Sequence, residues 1–163
     1  CKYIGLSGGE PFLVPELLAI ASEICWQESM KCTVVTSGWW AKDKDVCKAK
    51  LSNLDGVTGI SISWDQWHAD FVPVDQVRTL ISVGKALDKT IEVGGCYIQN
   101  KEECISWIIQ TIGNDVCEGI EVHAQPMVYR GAAQKYFLSE DIKANWNYLE
   151  EIWVQFGNKP GKS

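Results

Sequence analysis

"ISISWD", residues 60–65, separates the folds open to this chain. Its β-branched run predicts a strand. A parallel strand covered by helices on both faces is apolar throughout. This one alternates instead. Ile60, Ile62 and Trp64 point one way, and Ser61, Ser63 and Asp65 the other. "IEVHAQ" repeats the pattern, with Ile120, Val122 and Ala124 opposing Glu121, His123 and Gln125. In "IEVGGC", Glu92, Gly94 and Cys96 share one face. Burying such polar groups without partners would cost about 1–3 kcal/mol each. A wet or ligand-filled concavity removes that cost.

Strands and helices alternate on either side of this stretch. "KYIGLS" predicts a first strand, and residues 14–29 a helix with Pro15 in its first turn and a stripe of Leu17, Leu18, Ala21, Ile24 and Cys25. "KCTVVTSG" is a short buried strand, and "WWAKDKDVCKAKLSNL" a loop and helix. After the strand "GVTGISISWD" comes a helix in "VPVDQVRTLISVGKALD", with Val74, Val77, Leu80, Ile81 and Leu87 on one side. "TIEVGGCYI" is the next strand. "NKEECISWIIQTIG" is a helix for which Asn100 is the N-cap, and "EGIEVHAQP" is the fifth strand. Residues 139–163 predict an amphipathic helix capped by Ser139 and a frayed tail; residues 1–138 form the core. Repeated βα units imply a parallel sheet with right-handed crossovers. An open doubly wound sheet and a (β/α) barrel compete. The polar strand faces favour a partial, TIM-like barrel.

The chain has 163 residues, 46% of them hydrophobic, enough for one domain with a core. Its net charge of -6 and pI of about 4.9 argue against nucleic acid or an anionic membrane as a partner. No run is long and apolar enough to span a bilayer. Seven cysteines, an odd number with no CxxC pair, argue against a disulfide framework or a closed zinc site, so a reducing, cytoplasmic setting is expected. Cys1 leads straight into a strand, so the chain reads as cut from something longer.

Chemistry is expected where strands end. Gly8-Gly9-Glu10-Pro11 follows the first strand, at the edge where parallel α/β folds bind ligands. Glycines there let backbone groups approach a ligand. Glu10 offers an acceptor to an ammonium or hydroxyl, and Pro11 sets the exit direction. The GxxxxGK[ST] phosphate loop is absent.

"GLSGGEPFL" resembles the signature of the radical S-adenosylmethionine enzymes, in which "GGEP" contacts the amino group of the cofactor's methionine. "VVTSGWWA" is similar to the family's third strand, with Ser37 where Asn is usual. "SISWDQWHADFVP" resembles its fourth-strand segment, and "AQPMVYRGAAQ" a sixth-strand exit. The resemblance runs from Cys1 to about Gln134. It implies a partial barrel lacking the first strand and the cluster loop, because no CxxxCxxC is present and no three cysteines replace it. The cofactors implied are S-adenosylmethionine and a [4Fe–4S] cluster whose ligands are expected upstream. The partners implied are a small-molecule or peptide substrate and an electron donor such as flavodoxin or ferredoxin. The reaction implied is reductive cleavage of the sulfonium to a 5′-deoxyadenosyl radical that takes hydrogen from substrate. Gly8, Gly9, Glu10 and Pro11 would then lie at the methionine end, beside Ser37. Ser61, Ser63 and Asp65 would face the ribose or carboxylate, and His123 and Gln125 adenine or substrate.

Two other readings remain: a non-redox domain binding a nucleoside, peptide or partner protein, and an unrelated barrel enzyme using Glu121, His123 and Asp65 as acid and base. His68 reads as a loop hydrogen-bonder rather than a base. Trp39 and Trp40 either stack on substrate or close over the barrel. Arg130 reads as an exposed loop residue.

Overall fold

The computed structural model describes residues 2–127. The expected helix from Ser139, and Arg130, lie outside them. The elements run β1 (Tyr3–Leu6), α1 (Pro15–Gln27), β2 (Lys31–Thr36), α2 (Lys44–Leu51), β3 (Val57–Ser63), α3 (Val74–Ala86), β4 (Thr90–Tyr97), α4 (Lys101–Ile112), a single turn α5 (Asn114–Cys117) and β5 (Glu121–Pro126). The five strands form one parallel sheet in the order β1-β2-β3-β4-β5. A doubly wound sheet reverses its order part-way; this one does not. Each strand is added on the same side of the last, as in the winding of a barrel. Among the described residues the sheet is open, with β1 and β5 at its edges.

With the right-handed crossover that parallel strands follow, this strand order puts the helices on one face. α3 packs on β4, α4 on β4 and β5, and neighbouring helices on each other. The covered face is a ladder of apolar rows. Leu6, Val34, Ile60 and Ile91 lie side by side, and Thr36, Ile62, Val93 and Val122 form the next row. Val34, Ile60, Ile62 and Val93 are fully buried beneath Val77, Leu80, Ile108 and Ile112. The opposite face carries the row Val35, Ser61, Glu92 and Glu121, and then Ser63, Gly94 and His123. One register irregularity lies between β2 and β3, where Thr58 is the extra residue. Its hydroxyl accepts from Cys32 N and donates to Cys32 O, both at 3.2 Å, so the interrupted ladder leaves that backbone satisfied.

Local chemistry fixes the helix ends. Pro15 opens α1, and Asn100 Oδ1 accepts from Glu103 N at 3.1 Å, as the sequence predicts. Asp43 caps α2 in the same way, through Val46 N at 2.8 Å. Gly56 closes the loop between α2 and β3 by donating to Ser22 Oγ, and a Cβ there would strike the Ser22 carbonyl. The expected stripe of α1 is divided. Leu18 and Cys25 are buried with Ser22, whereas Leu17, Ile20, Ile24 and Trp26 face outward. The helix is apolar on two sides, so periodicity alone does not choose the buried one. A groove of about 560 Å³ runs between this helix and β1, bordered by Leu6, Gly9, Glu10, Leu13 and Leu17.

Candidate functional site

The C-terminal edge of the sheet carries two polar knots. The first joins the ends of β1 and β2. Glu10 Oε1 accepts from Thr36 Oγ1 at 2.7 Å and from Phe12 N at 3.3 Å. Its Oε2 accepts from Ser37 N at 3.0 Å and Ser37 Oγ at 2.9 Å. Thr36 in turn accepts from Gly38 N and from Trp40 Nε1, and Trp40 stacks on Phe12 with ring centroids 3.9 Å apart. Every donor to Glu10 is neutral. Among the described residues no basic side chain pairs with it, so its charge stays uncompensated. Pro11 begins a short 3₁₀ turn, Pro11–Leu13. Gly8 takes a φ of 142°, which L side chains rarely adopt, and space is open around the Cα of both Gly8 and Gly9.

The second knot joins the ends of β3 and β4. The Asp65 side chain is 1% exposed. Its Oδ2 accepts from Cys96 N at 2.9 Å. Its Oδ1 accepts from Trp67 N, from His68 N and from the imidazole Nδ1 of His68 at 2.8 Å. Burial alone would push the carboxyl up; the bonds from His68 and Cys96 outweigh it and hold it below the ordinary value. Burial together with the Asp65 charge pushes the Cys96 thiol up, and Cys104 up to about 11. Cys104 Sγ donates to Cys96 O at 3.3 Å. A cavity of about 420 Å³ opens here, with Trp67, Cys96, Tyr97, Cys104 and Trp107 among its walls.

Between the knots lies the face on which none of the described helices packs. Ser61 and Ser63 are half-buried there, in rows with Glu92 and with Gly94. His123 leans across Gly94: a Cβ on that glycine would meet His123 Nε2 at 2.7 Å. Its Nδ1 stands 4.0 Å from Glu121 Oε1, too far for a hydrogen bond. Gln125 is exposed, with Nε2 4.0 Å from Cys96 Sγ.

Gly8, Gly9, Glu10, Pro11 and Ser37 are thus brought together, and Ser61, Ser63, His123 and Gln125 share one face. Asp65 departs from its expected place beside Ser63. β3 ends at Ser63, and the chain turns Asp65 into the loop, where its carboxylate is spent on backbone and imidazole. Sequence reasoning missed Thr36, whose hydroxyl is buried on the helix side of β2; Trp40, expected to stack on substrate or close over the barrel, is buried against Phe12 and donates to Thr36. A Thr among "TVVT" gives no sign of it; a hydroxyl on the apolar face of an alternating strand is the available signal.

Among the described residues, no group of three or more His, Cys, Asp or Glu could hold a metal ion, and no helix is long and apolar enough to cross a membrane. Cys32 and Cys47 are each pushed up to about 12, chiefly by burial.

No family model matches the chain. It is distantly related to a Bacillus subtilis (strain 168) protein named "Putative peptide biosynthesis protein YydG", with 23% identity over 152 residues, 92% of this chain and 47% of that protein. The chain therefore spans about half the length of that curated relative.

Proposed function

We propose that this chain is the S-adenosylmethionine-binding part of a radical enzyme that modifies a peptide. The observation that carries this is the Glu10 knot. An uncompensated carboxylate, held by four neutral donors, stands beside two glycines with open space at the ligand-binding edge of a parallel sheet. Each of its oxygens already accepts two hydrogen bonds, so a ligand ammonium would be drawn by its charge rather than by a free acceptor site. The bare backbone of Gly8 and Gly9 lets the methionine end of the ligand approach closely. Ser61 and Ser63 offer hydroxyls to its ribose, and His123 and Gln125 border the adenine or the substrate. Asp65 acts from behind this surface by holding the end of β4.

Once bound, S-adenosylmethionine would supply a sulfonium whose bond to the adenosyl carbon breaks on receipt of one electron from a reductant outside the described residues, giving methionine and a hydrogen-abstracting radical. The described residues do not fit an iron–sulfur cluster. Cys25, Cys32, Cys47 and Cys117 are buried in the core, and Cys96 and Cys104 stand at the far end of β4 without a third ligand. This chain's own share is to bind and orient the sulfonium compound. The printed name of the Bacillus relative supports a peptide as substrate.

Equilibrium dialysis with labelled S-adenosylmethionine tests the reading. Gly9→Val fills space that no atom of the described residues occupies, so the melting temperature is expected to stay within about 2 °C while binding weakens about tenfold or more, since tenfold is only about 1.4 kcal/mol. A Gly9→Val chain that binds as well as the parent, or a parent that does not bind, overturns the assignment.

A further inference from the structure

We propose that His68 contacts the substrate: Asp65 fixes Nδ1 of the imidazole as the donor, which leaves Nε2 as the acceptor for an N–H or O–H of the molecule received at the sheet's C-terminal edge. The peptide nature of that molecule rests on the function proposed above; the role of Nε2 does not.

Asp65 is ionised at neutral pH and can only accept, so the nitrogen 2.8 Å from its Oδ1 carries the proton. In the neutral ring the other nitrogen then holds a lone pair. The His68 side chain is 39% exposed, and none of the described residues bonds its Nε2. The turn alone does not explain Asp65. The oxygen that accepts from Trp67 N and His68 N forms an ordinary Asx turn, which a neutral Asn or Ser also makes. Burying a full charge to make that turn is costly. The charge acts on the imidazole, the one partner whose tautomer and direction it sets. The contrast with His123 is direct: its Nδ1 makes no hydrogen bond to the largely exposed Glu121.

Placement supports a substrate rather than a scaffold role. His68 stands in the loop that leaves the C-terminal end of β3, the strand next to β2, whose end joins the Glu10 knot. Its loop also carries Phe71, 81% exposed, and the neighbouring loop carries Trp39, 40% exposed. Solvent-facing aromatic rings are thus carried by two loops at the edge where parallel α/β folds gather their ligands.

The test is histidine 15N spectroscopy on the full chain, with two additions made separately: S-adenosylmethionine, and an acetyl- and amide-capped tetra-alanine at millimolar concentration. Free protein is expected to show His68 protonated at Nδ1 and bare at Nε2. The capped peptide is expected to move the Nε2 resonance, and S-adenosylmethionine to move the amides of Gly8 and Gly9. His68→Asn keeps an amide N–H for Asp65 and lacks the distal acceptor. It is expected to melt like the parent yet bind the capped peptide at least about fivefold more weakly, whereas His68→Gln, which reaches the distal position, restores part of the loss. A proton on Nε2 overturns the proposal outright. So does peptide binding that shifts backbone amides at the sheet edge but not Nε2, or that His68→Asn leaves intact. No peptide-induced shift anywhere overturns both the peptide reading and this contact, while the Gly8 and Gly9 response still reports on S-adenosylmethionine.

Discussion

Thr36 holds more of the candidate site than its size suggests. Its hydroxyl accepts from Gly38 N and Trp40 Nε1 and donates a hydrogen bond to Glu10 Oε1. Thr36→Val keeps the shape and removes the oxygen, leaving a buried indole N–H and a backbone N–H without their acceptor. A loss of about 1–3 kcal/mol is expected in denaturant titration. Asp65 makes a different prediction, read in pH. Its folded pKa lies below the unfolded value near 3.8, so its stabilising contribution is complete above that value and is lost as pH falls through the folded pKa. Acid titration of unfolding free energy from about pH 5 to pH 2 is expected to fall more steeply for the parent than for Asp65→Asn, with the difference confined to the region below about pH 4.

The helices are tied by basic side chains that grip one another's carbonyls. Arg78 on α3 donates to Ile112 O at 2.8 Å and Thr111 O at 2.9 Å, the last carbonyls of α4, and Lys85 donates to Val116 O and Glu118 O. Arg78→Met keeps the aliphatic stem and is expected to cost about 1.5–3 kcal/mol, the range for hydrogen bonds to a charged group, measured by urea unfolding. Strands and long helices were readable in advance because β-branched runs, Asn100 and Pro15 carry local signals that packing does not override. α5 was not, since a single turn between Gly113 and Glu118 has no period to detect. The inner face of β3 was read correctly as far as Ser63. Asp65 escaped because alternation says nothing about where a strand stops. The Glu10 knot was half visible: "GGEP" marks the turn, but the partners lie 26 and 27 residues away and emerge only when β1 and β2 pair.

Seen entire, the sheet is covered on one side and polar on the other, and its β1 edge lies beside an outward apolar surface of Leu13, Leu17, Ile20, Ile24 and Trp26. A surface of that kind promotes association when nothing covers it. Light scattering of the isolated chain is expected to show mass rising with concentration, and Ile20→Lys with Ile24→Glu to suppress that rise without lowering the melting temperature. The carbonyl grips of Lys85 and Lys89 lie toward the strand beginnings, where Lys89 donates to Leu54 O and Val57 O, whereas the Glu10 and Asp65 knots sit at the opposite rim. The sheet is thereby fastened at both rims, by lysine-to-carbonyl bonds at the strand beginnings and by buried carboxylates at the strand ends. An engineer who exchanges the segments that leave β2 and β3 must therefore supply new partners for Glu10, Thr36 and the Cys96 amide, whereas the lysine bonds below stay untouched.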